Sequence, residues 1–199
     1  MKKFLLLSAG VAIAAAANPA AAQSVTGTVN VTGSVAGRCS VVAPGGSAVQ
    51  TFSGTIGLGQ LDEDDGTLKS SLEGTTAGAS GGTPVETRVV CTSASVNIDV
   101  TAETLANGTR GTAPASGYAN EINYTAEMQV ALASGSSDNK VTFDTATAAT
   151  ATKTVGRLAA SGNNVTVKAY GFATKGGASG LLVAGDYTST ITVNVAPSA

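Results

Sequence analysis

Histidine and tryptophan are both missing from this 199-residue chain. Without histidine, the commonest general base and the commonest metal ligand are gone. A Ser-His-Asp or Cys-His catalytic site is thereby excluded. Four tyrosines and four phenylalanines are the whole aromatic complement, so stacking platforms for bases or sugars are poorly supplied. Charged residues make up only 12% of the chain, with a formal net charge of −2. That balance gives no electrostatic drive toward nucleic acid or anionic lipid. No lysine follows a glycine, so there is no phosphate-cradling loop of the Walker type. Past the first residues, no stretch approaches the roughly 18 uninterrupted apolar residues a membrane helix needs.

What is present begins with the N-terminus. Lys2 and Lys3 precede an apolar run, Phe4 to Ala17, and Ala20-Ala21-Ala22 supplies small residues. This reads as a signal peptide over 1–22, cleaved after Ala22 and leaving Gln23 first. Export through the periplasm to the cell surface is the expected itinerary. Only two cysteines occur, Cys39 and Cys91. In an oxidising compartment one intramolecular bridge is the default, with two free thiols as the alternative.

Gly, Ala, Thr, Ser and Val dominate the rest, yet the apolar residues fall in period two. Val96, Ile98 and Val100 alternate, as do Ile122, Tyr124, Ala126, Met128, Val130 and Leu132. Val141 and Phe143, then Val165, Val167 and Ala169, follow the same rule. The last such run is Tyr187, Ser189, Ile191, Val193 and Val195. Alternation places one set of side chains on one strand face. Gly-rich clusters separate the runs, at Pro44–Ser47, Gly78–Pro84, Asn107-Gly108, Ser134–Asn139, Gly162–Asn164 and Gly176–Gly180. Many short strands between such turns predict an all-β antiparallel sandwich. No amphipathic helix stands out, although the Ala/Thr-rich stretch Thr145 to Lys153 has room for a helical turn.

Several motif matches lack the context their chemistry requires. Gly78-Ala79-Ser80-Gly81-Gly82 fits G-x-S-x-G but sits in a Gly/Ser loop with no histidine to take the proton. Ser137-Asp138-Asn139-Lys140 satisfies S-x-x-K and contains S-D-N, which in penicillin-binding enzymes are separate motifs joined by a K-T-G that is absent here. Asp62-Glu63-Asp64-Asp65-Gly66 is the one dense acidic cluster. Asp62, Asp64 and Asp65 are its candidates for a Ca²⁺ site, although the spacing is not that of an EF-hand. No catalytic residue and no cofactor is expected.

The mature chain opens with Val25, Gly27, Val29, Val31, Gly33 and Val35 at every second position, and no charge lies between them. Extended, Val25 to Val35 spans roughly 35 Å at about 3.3 Å per residue. It reads either as the first strand of its own sandwich or as a strand that completes another sheet. Strand addition takes affinity from main-chain hydrogen bonds and specificity from alternate side chains. Burying the four valines contributes about 6–10 kcal/mol, at about 1.5–2.5 each, against the cost of ordering the backbone. The pattern alone favours neither reading.

The order of features resembles the chaperone–usher pilins, in particular the archaic type and the related spore coat protein U family. An alternating N-terminal extension precedes Arg38-Cys39-Ser40-Val41-Val42, and the second cysteine ends Thr87-Arg88-Val89-Val90-Cys91. A mid-chain strand carries Tyr124, and a late one reads Val165-Thr166-Val167-Lys168-Ala169-Tyr170-Gly171. Ala184-Gly185-Asp186-Tyr187 to Val195 is similar to the family's closing strand. The resemblance implies an incomplete immunoglobulin-like sandwich over 38–199, with 23–37 as a donor-strand extension. It implies that Tyr187, Ile191, Val193 and Val195 line an open groove facing a periplasmic chaperone. At an outer-membrane usher, the extension of a neighbouring copy or related pilin would then take the chaperone's place. A pilus subunit for adhesion or biofilm formation is the implied function. The alternative is a self-complemented secreted or surface module, such as a small adhesin or Ca²⁺-dependent matrix protein.

Overall fold

The computed structural model describes residues 25–42, 46–112, 114–135, 139–149, 151–177 and 180–198. The expected signal peptide, Gln23, and Ser137 and Asp138 of the polar turn lie outside the described residues. The chain divides into two units, Met1–Ser34 and Val35–Ala199. That division falls three residues before the expected boundary at 37/38. Among the described residues, no helix is long and apolar enough to cross a membrane.

The second unit is an all-β sandwich. In chain order its elements are β1 (Cys39–Val42), β2 (Ala48–Val49), a four-residue helix α1 (Ser70–Glu73), β3 (Val85–Thr87) and β4 (Val89–Cys91). Then come β5 (Ser95–Ala102), β6 (Leu105–Ala106), β7 (Tyr118–Ala119), β8 (Glu121–Val130) and β9 (Lys140–Asp144). The last are β10 (Ala151–Gly156), β11 (Val165–Thr174), β12 (Leu181–Leu182) and β13 (Ile191–Pro197).

One sheet has the order β10-β5-β13, antiparallel throughout. The other runs β3-β11-β8-β6, with β9 also paired to β8. A small three-stranded sheet has the order β2-β1-β4. The alternating runs explain the stacking. Val96, Ile98 and Val100 of β5 are fully buried, as are Ile122, Ala126, Met128 and Val130 of β8. These side chains belong to a single core cluster, as expected when two sheets meet through their apolar faces.

Three local features depart from simple alternation. In β11 the register against β8 shifts between Tyr170 and Ala173. Gly171 adopts φ +64° there, a conformation that favours glycine. The bulge reverses the strand's phase. Val165, Val167 and Ala169 point inward before it, and Phe172 and Thr174 after it. Phe172 thereby stacks on Tyr124, with ring centroids 5.6 Å apart. Second, Asn164 is 2% exposed inside a stretch that reads as a turn. Its amide accepts from Val89 N–H at 2.8 Å and donates to the Val89 and Ala159 carbonyls at 2.7 Å each. It thus satisfies β4 backbone groups where β4 leaves β3 and its sheet. Third, the Ala/Thr-rich stretch with room for a helical turn divides differently. Thr145–Ala148 is a turn, and Ala151–Gly156 is edge strand β10. β-branched Thr152, Thr154 and Val155 suit a pleated edge better than a helix.

The two cysteines are bridged. Cys39 of β1 and Cys91 of β4 are directly opposed in the ladder, with Cα atoms 4.1 Å apart.

Candidate functional site: an apolar groove beside the last strand

β13 pairs with β5 along one edge only. The chain just before it behaves likewise, since Thr188 exchanges hydrogen bonds with Ala106 and Thr190 accepts from Glu103 N–H. Among the described residues, no ladder occupies the other edge. Beside that edge lies a cavity of about 1250 Å³.

One wall of the cavity is the run from Tyr187 to Val195. Tyr187, Ser189, Ile191, Val193 and Val195 are half-buried there, whereas Thr188, Thr190, Thr192 and Asn194 are exposed. The opposite wall is Gln50 to Asp62, a stretch with no ladder between 51 and 61. Phe52, Ile56, Leu58 and Leu61 pack from it onto the core. Val89, Leu105, Tyr124, Val167, Ala169 and Phe172 form the floor. The walls mix polar residues with half-buried Ile191, Val193, Val195, Ile56 and Leu58, and together with the mostly apolar floor they leave hydrophobic surface in water, a mark of association sites.

Polar contacts hold the walls in place. The Tyr124 hydroxyl lies 2.7 Å from Ser189 Oγ, which in turn donates to the Glu103 carbonyl at 2.7 Å. Burial pushes the Tyr124 hydroxyl above the ordinary tyrosine value, partly offset by the Ser189 bond. The Tyr187 hydroxyl donates toward the Val183 and Ala119 carbonyls at 3.0 and 3.1 Å. Burial raises its pKa too, and the nearby Asp62 carboxylate acts in the same direction. Asn107 Nδ2 donates to the Val183 and Ala184 carbonyls at 3.1 and 2.9 Å, anchoring the rim before Tyr187.

The predicted residues fall into three groups. Tyr187, Ile191, Val193, Val195 and Cys39 all line the groove. Val25, Val29, Val31 and Val35 are 96, 86, 93 and 78% exposed, and residues 25–38 form no ladder. The Ca²⁺ candidates do not converge. Asp65 Oδ1 accepts from the Thr67 hydroxyl at 2.6 Å and the Thr67 N–H at 3.0 Å. Those bonds hold the Asp65 pKa below the usual carboxylate value. Glu63 accepts from Ser70, and Asp62 stands in the groove wall. Among the described residues, no group of three or more His, Cys, Asp or Glu side chains is placed to hold a metal. The G-x-S-x-G match is a packing device: a side chain at Gly82 would collide with the Gly57 carbonyl, and Ser80 Oγ accepts from Ala169 N–H at 3.4 Å.

Sequence reasoning missed the second groove wall. It also missed Glu121, which is 4% exposed and bonded to Lys175, Thr104 and Gly111 N–H. A carboxylate opening a strand of apolar alternation was the available signal. No protein-family model, curated protein or solved structure matches this chain significantly.

Proposed function

We propose that this chain is a structural subunit of a bacterial surface fibre, assembled by strand addition between copies. One observation carries the reading. A strand whose other edge meets no ladder among the described residues flanks a groove of about 1250 Å³ with a mostly apolar floor, and the same chain carries an uncharged, alternating, exposed segment that forms no ladder among those residues. Each lacks what the other supplies. The groove offers main-chain hydrogen bonds and apolar depth, and the segment offers unpaired backbone and valines at every second or fourth position. Strand addition joins these needs. A contact between two different surfaces of one chain does not close on itself, so it generates filaments.

The resemblance to the archaic chaperone–usher pilins supports the same reading. On it, the sandwich is of incomplete immunoglobulin type, and an exposed groove of this kind is an aggregation hazard until it is capped. A periplasmic chaperone and an outer-membrane usher would serve that need on the way to the cell surface. The self-complemented module would require Val25–Val35 to pair within its own sandwich.

Substituting Val29→Asp or Val31→Asp tests this in cells that export the full-length chain. The segment is exposed, so the sandwich and its disulfide should form normally. A carboxylate carried into the apolar groove would be unpaired, which costs about 3–5 kcal/mol. Detergent-resistant polymers from the cell surface should fall by at least about 100-fold. Polymers that persist at wild-type levels would overturn the proposal.

A further inference from the structure

A second cavity, of about 310 Å³, shares no lining residue with the groove. Glu121, the first residue of β8, forms part of its wall, and that side chain is 5% exposed. Its Oε1 accepts from Gly111 N–H, and its Oε2 accepts from the Thr104 hydroxyl at 3.0 Å and the Lys175 ammonium at 2.9 Å. Donors from three separate segments thus hold the carboxylate in place. Lys175 also lines the cavity, with half of its side chain exposed. An ammonium that has made one bond keeps two donors. Asn120 Nδ2 donates to the Thr112 carbonyl at 2.9 Å, which leaves the amide oxygen as an acceptor. Tyr118 completes the set, lining the cavity while 51% exposed. Among the described residues it is the only exposed aromatic side chain.

Glu121 and Lys175 are the only charged residues lining the cavity, among those described, and they neutralise each other. An anion would meet the carboxylate and a cation the ammonium, so neither gains a net attraction. The walls offer fixed donors and acceptors without net charge, plus one aromatic ring. A volume at the lower end of the ligand-pocket range suits a single small ring. We propose that this cavity binds one neutral saccharide unit. The sugar's hydroxyls bond to Lys175 and Asn120, and its C–H face rests on Tyr118, whose ring is apolar and whose tip is polar. One such platform is enough for one sugar ring, even in a chain poor in aromatics. Glu121 and Asn120 are already held by bonds within the chain, so little ordering is left for binding to impose. The site lies within one chain and stands apart from the fibre reading. If that reading holds, repetition along the fibre turns weak single sites into avidity.

Saturation-transfer NMR on the purified exported chain tests the pocket. The probes are glucose, galactose, mannose and N-acetylglucosamine, each as the methyl glycoside and as the reducing sugar. The first form stands for a chain end and the second for a free sugar, and binding of either supports the site. At least one probe should bind with a Kd of about 1–10 mM. Tyr118→Ala removes the ring platform, and Ser116→Leu fills the cavity from an exposed position on its wall. Each should weaken binding at least about tenfold. Because both positions are exposed, thermal unfolding of the two variants should match that of the parent chain, which separates a lost site from a lost fold. Glucuronate and glucosamine, which carry opposite charges, should bind no more tightly than the neutral sugars. The proposal is overturned if no neutral probe binds at concentrations up to about 50 mM, or if binding survives both substitutions. A tenfold preference for either charged sugar overturns it as well.

Discussion

β10 and β13 are the two edges of one three-stranded sheet, and they are built in opposite ways. β10 places Lys153 at an inward-facing position, opposite fully buried Ile98. Its ammonium reaches the Lys140 carbonyl at 3.4 Å. An inward-pointing charge on an edge strand discourages a further strand from pairing there. Tyr187 to Pro197, on the other edge, has no charged residue at all. Its inward positions are apolar or hydroxyl-bearing, and half-exposed over a groove. The same sheet thus carries an inward charge on one edge and none on the other. The difference lies in a few side chains, because both strands offer the same backbone.

The largest effect should come from the disulfide, which lies on the β13 side of the groove. Cys39 and the adjoining Val41 line the groove, and β1 contacts β13. The bridge spans 52 residues of sequence, which in a chain-entropy treatment corresponds to about 4 kcal/mol. The double variant Cys39→Ser, Cys91→Ser should lose stability on that scale in a denaturant titration. Hydrogen exchange should then show β1 and β4 amides losing protection while β5–β10 amides keep theirs. Uniform loss across both sides would mean that the two edges are not separately supported.

The sandwich was largely legible, and the groove was not. The runs in β5, β8, β9 and β11 alternate because one face of each is buried, and burial of one face is what period two records. Val25–Val35 alternates just as cleanly, yet it is exposed and in no ladder. Alternation shows that a strand has two faces and says nothing about whose sheet receives it. Phe172 faces the core only because Gly171 allows a bulge, and a bulge breaks the periodicity on which the reading depends. Asn164 was hidden in a polar cluster, since two of its three bonds go to the backbone of Val89, 75 positions earlier. The second groove wall, 50–61, packs its apolar residues without forming a ladder, so it has no strand signature to find. A groove is a missing neighbour, and sequence patterns report neighbours that are present.

A smaller effect should follow at Glu121. Its carboxylate is nearly buried, which by itself would raise its pKa. The Lys175 ammonium at 2.9 Å, the Gly111 N–H and the Thr104 hydroxyl outweigh burial and hold the pKa below the usual value. Thr104 and Leu105 lead the chain from β5 past the β13 rim. Because the folded pKa is depressed, the unfolded chain takes up the proton first as pH falls. The stabilisation is complete above the ordinary glutamate value of about 4.3 and is lost as pH falls below it through the folded pKa. Glu121→Gln should cost about 1–3 kcal/mol at neutral pH. It should also flatten the acid limb of a thermal unfolding series from about pH 7 to 3. An unchanged acid limb would place the acid sensitivity elsewhere.

The smallest change in stability, and the most direct test of the two edges, is Lys153→Val. Position 153 is half-buried on an exposed edge, so the folded chain should change by no more than about 1 kcal/mol. What changes is the instruction to neighbours. With valine there, inward positions 151, 153 and 155 become Ala, Val and Val, and β10 comes to resemble β13. In a Val29→Asp background, which would block the proposed groove route, the Lys153→Val chain should gain concentration-dependent association measurable by light scattering. Lys153→Arg, which keeps the charge, should not. If Lys153→Val stays monomeric, the charge is not what protects that edge, and the groove beside β13 becomes the feature that would separate a pairing edge from a closed one.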